Sequence, residues 1–294
     1  MKKVVRMLGL CALVALAFTA CKKKETNGNV AFKCAINQPT SERTQMYPGG
    51  DVKWSANDKI VVLHGTAEHI SPVVKDEGVG NLVGQFEGDG AFLSDLKTTT
   101  GEYTSFYPVI NEAEAIGTNT VTLTVPEQQT YVNGTFGTNL YPMYAANEED
   151  NFSFVSDAGV FALSFLKASR EVDPTFTRIV LTAEADGTQD LVGKMIYSID
   201  NPSNGYTVDA PNNLAEMVCD PNLIELRTGD PTFFNFVVLP GTYNFSVQVF
   251  NGNTAKTLYS GGTNGISGEI FHIQNVEITS QKITIPLSII LDEE

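Results

Sequence analysis

Few residues of this sequence have the types and spacing that catalysis or metal binding requires. Of its three histidines, His64 and His69 lie five residues apart near a predicted turn, and His272 lies far away in a predicted strand. Metal sites need several converging ligands, and this spacing does not bring two histidines onto one helix face. The sequence has no G-x-S-x-G nucleophile elbow and no phosphate-binding glycine loop before a helix. We therefore predict that the protein is not an enzyme and has no catalytic residue, no metal and no cofactor.

Carboxylates cluster in one short stretch, Glu148–Asp150. It does not complete the E-x-D-x-x-E pattern of some β-sandwich glycosidases, because Ser153 takes the last acidic position. We expect a solvated charged loop here, with loose Ca²⁺ binding as the alternative. A carboxylate pair for glycoside hydrolysis, which needs only spatial proximity, stays open at this point.

The N-terminus contains a cysteine placed for modification. A positively charged start precedes the apolar run Met7–Phe18, which is too short to span a bilayer. Phe18-Thr19-Ala20-Cys21 then resembles the lipobox of bacterial lipoproteins, in which the cysteine thiol is acylated before cleavage. The resemblance implies that residues 1–20 are a signal peptide and that Cys21 carries a membrane-anchoring lipid. An ordinary secreted protein with a chance cysteine is the alternative.

Residues 21–29 read as a polar, flexible tether. Lys22 follows the cysteine, where an aspartate would resemble an inner-membrane retention signal. Lys22-Lys23-Lys24-Glu25 partly resembles the signal that sends lipoproteins of Bacteroidetes to the cell surface. We therefore expect the protein in the outer membrane, facing outwards on the cell surface.

Net charge bears on the possible partners, and the cysteine count bears on disulfide formation. The chain has a formal net charge of −15, so nucleic acid should be repelled and is not a predicted partner. Beyond the signal and Cys21, only Cys34 and Cys219 remain. An oxidising compartment would allow one disulfide between them, but we favour two separate buried thiols.

Alternating apolar and polar residues dominate the rest of the chain, with Asn-Gly and Asp-Gly turn dipeptides between the segments. The clearest predicted strands are Lys59–Leu63, Tyr103–Tyr107, Thr120–Val125, Arg178–Ala183, Phe233–Leu239, Tyr243–Phe250 and Lys282–Leu291. This spacing predicts an all-β protein built from β-sandwiches. The polar stretch Ala146–Asn151 is the best boundary, which gives sandwiches over residues 30–150 and 151–294.

The two ends of the mature chain each carry a strand with one apolar face. In Val30–Ile36 the even-numbered residues are apolar, and a polar loop with Arg43 follows. Near the other end, the apolar face comprises Ile283, Ile285, Leu287, Ile289 and Leu291. Pro286 interrupts the opposite face, so this strand is expected at a sheet edge or paired on one side only. A simple interpretation makes both segments edge strands of their own domains.

Five segments in order resemble the fimbrillin family of Bacteroidetes surface lipoproteins. They are Val52–Val62 with its Trp54 and Asp58, Ser105-Phe106-Tyr107-Pro108, Thr122–Val125 with Pro126 and Gln128-Gln129, Tyr141–Ala145, and Val238–Tyr243. Asn57 stands where glycine is commoner in the family, and asparagine tolerates the same left-handed turn. The resemblance implies two transthyretin-like β-sandwich domains in tandem. From the residues themselves, we expect Trp54 to pack in the N-terminal core and Asp58 to close its turn through backbone N–H groups.

The resemblance also implies an assembly route for a structural or adhesive pilus subunit. The lipidated precursor is cut after an arginine behind its first strand, here Arg43, and another subunit's strand fills the opened groove. Val30–Ile36 is then the removable strand and Ile283–Leu291 the candidate donor. The partners would be other pilin subunits or further copies of the chain itself, and the resemblance then implies a location in a fimbrium.

A second hypothesis is a monomeric, lipid-anchored surface module that binds a host glycan or protein. It would keep its first strand in place. Tyr131, Phe136 and Tyr141, near the turn at Asn133-Gly134, could then form an exposed stacking platform. Packing in the core or in a hairpin explains these three aromatic residues equally well.

Overall fold

The structure, a computed structural model, describes residues 29–37, 40–41, 52–64, 66–81, 83–89, 103–133, 135–147, 151–167, 175–256, 258–260, 267–284 and 288–291. Within these ranges the regular secondary structure is almost entirely strand, which confirms the all-β prediction. The strands are β1 (Asn29–Ile36), β2 (Thr40–Ser41), β3 (Val61–His64), β4 (Thr66–Ile70), β5 (Val73–Val74), β6 (Val83–Asp89), β7 (Tyr103–Tyr107), β8 (Thr120–Val125), β9 (Gln128–Val132), β10 (Thr135–Phe136), β11 (Met143–Asn147), β12 (Asn151–Phe154), β13 (Gly159–Lys167), β14 (Arg178–Ala183), β15 (Val192–Ser198), β16 (Tyr206–Asn212), β17 (Leu214–Val218), β18 (Thr232–Val238), β19 (Gly241–Asn251), β20 (Thr254–Ala255), β21 (Leu258–Ser260), β22 (Ser267–Gly268), β23 (Phe271–Ile278), β24 (Lys282–Thr284) and β25 (Ser288–Leu291). The helical elements in the described ranges are one turn of α-helix, Glu112–Ala115, and the 3-10 turns Asp76–Gly78, Pro202–Asn204 and Pro221–Leu223.

The strands combine into five sheets. Two involve mostly the first half of the chain, in the orders β12-β1-β6-β5 and β11-β7-β3-β4. A larger sheet runs β10-β9-β17-β14-β19-β20, and β23 also pairs with β19. Another runs β2-β24-β13-β25-β21-β22, with β18 on the free side of β13, and the strands β16-β15-β8 make a three-stranded sheet.

Strand pairing crosses the predicted domain boundary at residue 150 in both directions. Strand β12 begins at Asn151 but pairs with β1, whereas β8 pairs with β15 and β9 pairs with β17. The division into residues 30–150 and 151–294 therefore stays a prediction. Each half of the chain contributes strands to sheets that also contain strands of the other half.

The core follows from the alternation in the sequence, because every second residue of a strand points to the same face. In β19, Tyr243, Phe245, Val247 and Val249 are fully buried, while the residues between them are half-buried. The Phe245 ring packs on Phe161 of β13 with centroids 4.6 Å apart, which joins two of the sheets. Burial of these apolar faces is the main favourable contribution to folding.

Candidate functional site

The first described strand, β1, lies inside a sheet. It pairs antiparallel with β6 over seven residue pairs, from Asn29↔Asp89 to Ala35↔Val83. On its other side it pairs parallel with β12, from Lys33↔Asn151 to Ile36↔Phe154. The sequence predicted the strand and its apolar face, but the expectation of an edge strand is wrong, because β12 arrives from far along the chain. The space between β6 and β12 that β1 fills is named the β1 slot.

Three side chains of β1 enter the core. Phe32, Cys34 and Ile36 are 2%, 0% and 5% exposed. Cys34 is a free thiol, as is the buried Cys219, which confirms two separate thiols in place of a disulfide. Burial raises the pKa of both thiols, and that of Cys219 reaches about 12. Such thiols are unreactive while the strands stay in place.

Trp54 forms the floor of the β1 slot. Its indole Nε1 donates a hydrogen bond to the Cys34 carbonyl at 3.1 Å, so it fixes the backbone of β1 as well as packing beneath it. Opposite Cys34, Gly84 of β6 leaves room for the ring, because a Cβ there would lie 2.7 Å from Trp54 Cδ1. The prediction that Trp54 packs in the N-terminal core is confirmed.

Asp58 holds the turn that positions Trp54. The Ser55 N–H donates to Asp58 Oδ2 at 2.6 Å, and the Tyr107 hydroxyl donates to Oδ1 at 2.8 Å. Burial raises the pKa of Asp58, and these two hydrogen bonds partly lower it. Asn57 has φ 68°, the left-handed conformation that the sequence predicted for this position. The predicted role of Asp58 in closing the turn is confirmed.

The candidate donor strand is also docked. β24 and β25 both pair parallel with β13, and their other sides pair with β2 and β21. Ile283 and Ile289 are buried, at 4% and 0% exposed. The expected edge position is therefore wrong for the described parts of this strand. Ile285, Pro286 and Leu287 lie outside the described residues, and for Leu291 the structure describes only the backbone pairing.

The short strand β2 connects the segment that contains β1 with the candidate donor segment. After β1, the chain reaches β2, whose Thr40 and Ser41 pair with Lys282 and Ile283 of β24. One N-terminal segment therefore contributes strands to the sheet of β6 and β12 and to the sheet of β13. Sequence reasoning missed this link, because a two-residue strand leaves no periodic pattern.

A cleft opens at the end of β1. It has a volume of about 590 Å³, and most of its lining comes from residues 52–58 and 136–143. Ile36 and Trp54, which belong to the region of the β1 slot, line it together with Phe136 and Tyr141. We name it the β1-end cleft.

The aromatic residues proposed as an exposed platform are buried. Tyr131, Phe136 and Tyr141 are 4%, 8% and 2% exposed. Tyr131 packs on Phe234 at 4.7 Å between ring centroids, and Phe136 stacks on Tyr141 at 5.1 Å. The structure therefore favours the alternative of core packing, and the exposed platform is corrected.

Other residues that the sequence analysis singled out lie outside the described ranges or elsewhere in the fold. Cys21, Arg43 and the acidic stretch Glu148–Asp150 lie outside the described residues. His272 of β23 forms an exposed pair with Glu184, which follows β14, at 2.5 Å between Nδ1 and Oε1. No group of three or more metal-ligating side chains occurs in the part of the chain that the structure describes. Over the same residues, no helix is long and apolar enough to cross a membrane.

Gln129 belongs to a segment that resembles the fimbrillin family, but the sequence did not reveal its structural role. The Gln129 side chain is 1% exposed and binds both backbone groups of Val237 in β18. Its Nε2 donates to the Val237 carbonyl at 2.7 Å, and its Oε1 accepts from the Val237 N–H at 3.0 Å. The sequence shows only a glutamine three residues after Pro126, and neither its burial nor its partner, 108 residues away, can be read from the local pattern.

No protein-family model matches the sequence, and no curated protein matches it significantly. Solved structures do resemble its architecture. A candidate cell adhesion protein from Bacteroides ovatus superposes with a TM-score of 0.50 at 11% identity, covering 91% of this chain and 97% of that one. Candidate cell adhesion proteins from Bacteroides uniformis and Parabacteroides distasonis both have TM-scores of 0.44, at 14% and 8% identity. They cover 85% and 91% of this chain, and the alignments span 99% and 89% of their own lengths. This superposition indicates that the chain shares an all-β fold with the Bacteroides ovatus protein.

Proposed function

We propose that the protein is a surface-exposed structural or adhesive subunit of the fimbrillin type that assembles by strand exchange. The observation that carries the proposal is the position of β1. It is an interior strand, yet the candidate processing residue Arg43 follows it closely in sequence. One cut after Arg43 would separate an interior strand from the rest of the fold.

Loss of β1 leaves a slot that only another strand can fill well. β6 and β12 would each lose a backbone partner, and Trp54 and Phe86 would lose their cover. Unpaired backbone groups and exposed apolar side chains are both unfavourable, at about 1.5–3 kcal/mol for each large side chain. An incoming strand with alternating apolar residues restores both kinds of contact.

The residues Ile283–Leu291 are the proposed donor. Their alternation matches that of β1, and Ile283 and Ile289 already pack as buried residues in their own sheet. In the described conformation β1 of the same chain occupies the β1 slot, and β24 and β25 of the donor segment pair with β13. A cut after Arg43 would also free β2, which would remove one backbone partner of β24. The same cut would therefore release β1 and also remove part of the backbone pairing that keeps the donor segment docked.

Lipidation at Cys21 and an outer-membrane, surface location complete the proposal. The likeness in fold to the candidate cell adhesion protein of Bacteroides ovatus supports a surface role. Mass spectrometry of the protein recovered from cells tests it directly. A diacylated or triacylated Cys21 is expected on the unprocessed form, and Thr44 is expected as the first residue of the processed form. Replacement of Cys21 by serine should leave the protein unanchored.

Trp54 gives a direct test of strand exchange, because it is the single tryptophan of the chain and lies beneath β1. Purified protein is treated with an arginine-specific protease while fluorescence and particle size are followed. We expect a red shift of the tryptophan emission when β1 leaves, followed by a return to the blue as polymers form. An Arg43→Lys variant is the matched control and should show neither change.

A chain that is cut after Arg43 and stays strictly monomeric would contradict strand exchange. That result would favour the alternative, a monomeric lipid-anchored module for a host glycan or protein. The burial of Tyr131, Phe136 and Tyr141 removes the stacking surface on which that alternative depended.

A further inference from the structure

We propose that the β1-end cleft is a docking site for a second copy of this chain. It would receive the Leu291 side chain of the incoming strand, and the acidic residues Asp292–Glu294 would lie at Lys53 on its rim. This inference rests on the proposed strand exchange. It adds a contact that β1 itself does not make.

The cleft continues the β1 slot. Ile36 is the last residue of β1, and it lines the cleft as well as the core. Trp54 lines the cleft and also bonds to β1 through the Cys34 carbonyl. The ladder with β12 goes one step further, where the Asn37 N–H donates to the Phe154 carbonyl at 2.9 Å. A strand that fills the slot and is longer than β1 therefore enters the cleft.

The proposed donor is longer than β1 by one apolar position. The apolar face of β1 has four members, Val30, Phe32, Cys34 and Ile36. The donor face has five, which are Ile283, Ile285, Leu287, Ile289 and Leu291. A donor running in the direction of β1 restores the parallel ladder with β12 and the antiparallel ladder with β6. If Ile283 takes the place of Val30, then Ile289 takes that of Ile36, and Leu291 falls about 7 Å beyond it.

The chemistry of the cleft fits a branched aliphatic side chain. Besides the aromatic residues, Val52, Leu140 and Met143 line it, and its volume of about 590 Å³ is ample for one leucine and its backbone. Polar side chains, among them Ser55, Thr138 and Asn139, also line the cleft, so its apolar residues offer a contact for one aliphatic side chain and not a fully apolar pocket. Leu291 would add a buried contact that stabilises the exchanged strand relative to β1.

Charge on the rim fits the residues that follow Leu291. The charged side chains that line the cleft are Lys53 and Asp58. Asp58 is buried with both oxygens engaged, whereas Lys53 is exposed. In a chain of net charge −15, this lysine is a favourable site for Asp292–Glu294. Exposed charge pairs of this kind add little affinity but speed association at low salt.

Photo-crosslinking tests the contact. A photoreactive phenylalanine analogue replaces Leu291 in the full chain, which is then processed after Arg43, assembled and irradiated. We expect crosslinks from position 291 to residues 52–56 or 136–143 of the neighbouring copy. Crosslinks confined to other surfaces would overturn the cleft as the docking site while leaving strand exchange in place. If the wild-type chain forms no polymer after processing, both proposals fall.

Three variants provide a second readout, the rate of polymer growth. Leu291→Ser and Thr138→Trp, which fills the cleft from an exposed position on its lining, should each slow growth by about fivefold or more. Lys53→Glu should slow growth about two- to fivefold at low salt and have no effect at high salt. Lys194→Glu, at an exposed position on β15, is the matched charge control and should grow like wild type. Equal rates in all variants would overturn the inference.

Discussion

Trp54 shows how one side chain can join the fold to the proposed function. Its ring makes edge-on contacts with Phe86, Tyr107 and Phe154 at centroid distances of 4.8, 5.4 and 5.5 Å. Aromatic pairs in this geometry contribute beyond simple burial. The indole N–H extends this cluster to β1 through the Cys34 carbonyl. The strand proposed to leave is therefore held by a core side chain in addition to its ladders with β6 and β12.

The Gly84→Ala substitution tests the close approach of Trp54 and β6. The added Cβ would lie 2.7 Å from Trp54 Cδ1, so the ring must shift and its bond to Cys34 must weaken. We expect a loss of about 1–3 kcal/mol in the free energy of unfolding, measured by chemical denaturation. Val83→Ala, at an exposed neighbour in the same strand, is the control and should change stability little. Equal stability of the Gly84 variant and wild type would contradict this account of the slot floor.

Asp157 should make stability depend on pH. Burial raises the pKa of Asp157, which the nearby Tyr197 hydroxyl partly lowers, and its Oδ2 accepts no hydrogen bond from a described residue. The folded state therefore binds the proton more tightly than the unfolded state, whose carboxyl titrates near about 3.9. The charged form is destabilising at neutral pH, and this penalty disappears as the pH falls through the raised pKa.

The Asp157→Asn substitution is expected to stabilise the fold at pH 7 and to lose that advantage at acidic pH. The quantity to measure is the difference in free energy of unfolding between variant and wild type at several pH values. Asp209→Asn, at an exposed position on β16, controls for the general loss of one charge. A difference that does not change with pH would show that Asp157 is not the titrating group.

At the scale of elements, Gln129 replaces a missing strand. β18 pairs with β13 on one side, and on the other side the Gln129 amide bonds to the N–H and C=O of Val237. A primary amide has the same donor and acceptor groups as a neighbouring backbone, so it completes the ladder at this position. Strand β9, which carries Gln129, is thereby tied to a second sheet.

Replacing Gln129 by alanine should leave both backbone groups of Val237 without a partner. Val237 is fully buried, so the expected loss is about 1–3 kcal/mol for each orphaned group. The exposed neighbour supplies the control, because Gln128→Ala should change the free energy of unfolding by less than about 0.5 kcal/mol. Thermal and chemical denaturation of the two variants would separate these outcomes, and similar effects would contradict the role of Gln129.

At the scale of the whole molecule, the N-terminal segment and the candidate donor are linked. β1 lies in one sheet, β2 lies in another beside β24, and both come before Arg43 in the chain. A single processing event would therefore affect two sheets at once. This arrangement predicts that β1 can leave while the rest of the fold survives.

Thiol labelling distinguishes release of β1 from global unfolding. In the intact chain both Cys34 and Cys219 are buried and should react very slowly. After processing at Arg43, the Cys34 peptide should become reactive, at a rate at least about tenfold higher, while Cys219 stays protected. Mass spectrometry of the labelled peptides gives both rates. Simultaneous exposure of the two thiols would mean that the fold unravels and would contradict selective release.

Much of the fold could be predicted because local patterns encode it. The predicted strands Tyr103–Tyr107, Thr120–Val125 and Arg178–Ala183 match β7, β8 and β14 residue for residue. The burial of Trp54 and the turn at Asp58 were also predicted correctly. Each depends on side-chain alternation or on hydrogen bonds between residues three apart, which a linear sequence displays.

Strand partners depended on the tertiary structure. The sequence by itself determined an all-β chain with one-faced strands near both ends, because period-two burial is local. Only the tertiary structure decided that β1 lies between β6 and β12, that β25 lies between β13 and β21, and that Tyr131, Phe136 and Tyr141 turn inwards. Some of these arrangements join residues more than a hundred positions apart in the sequence. No local propensity specifies which of many similar strands will pair.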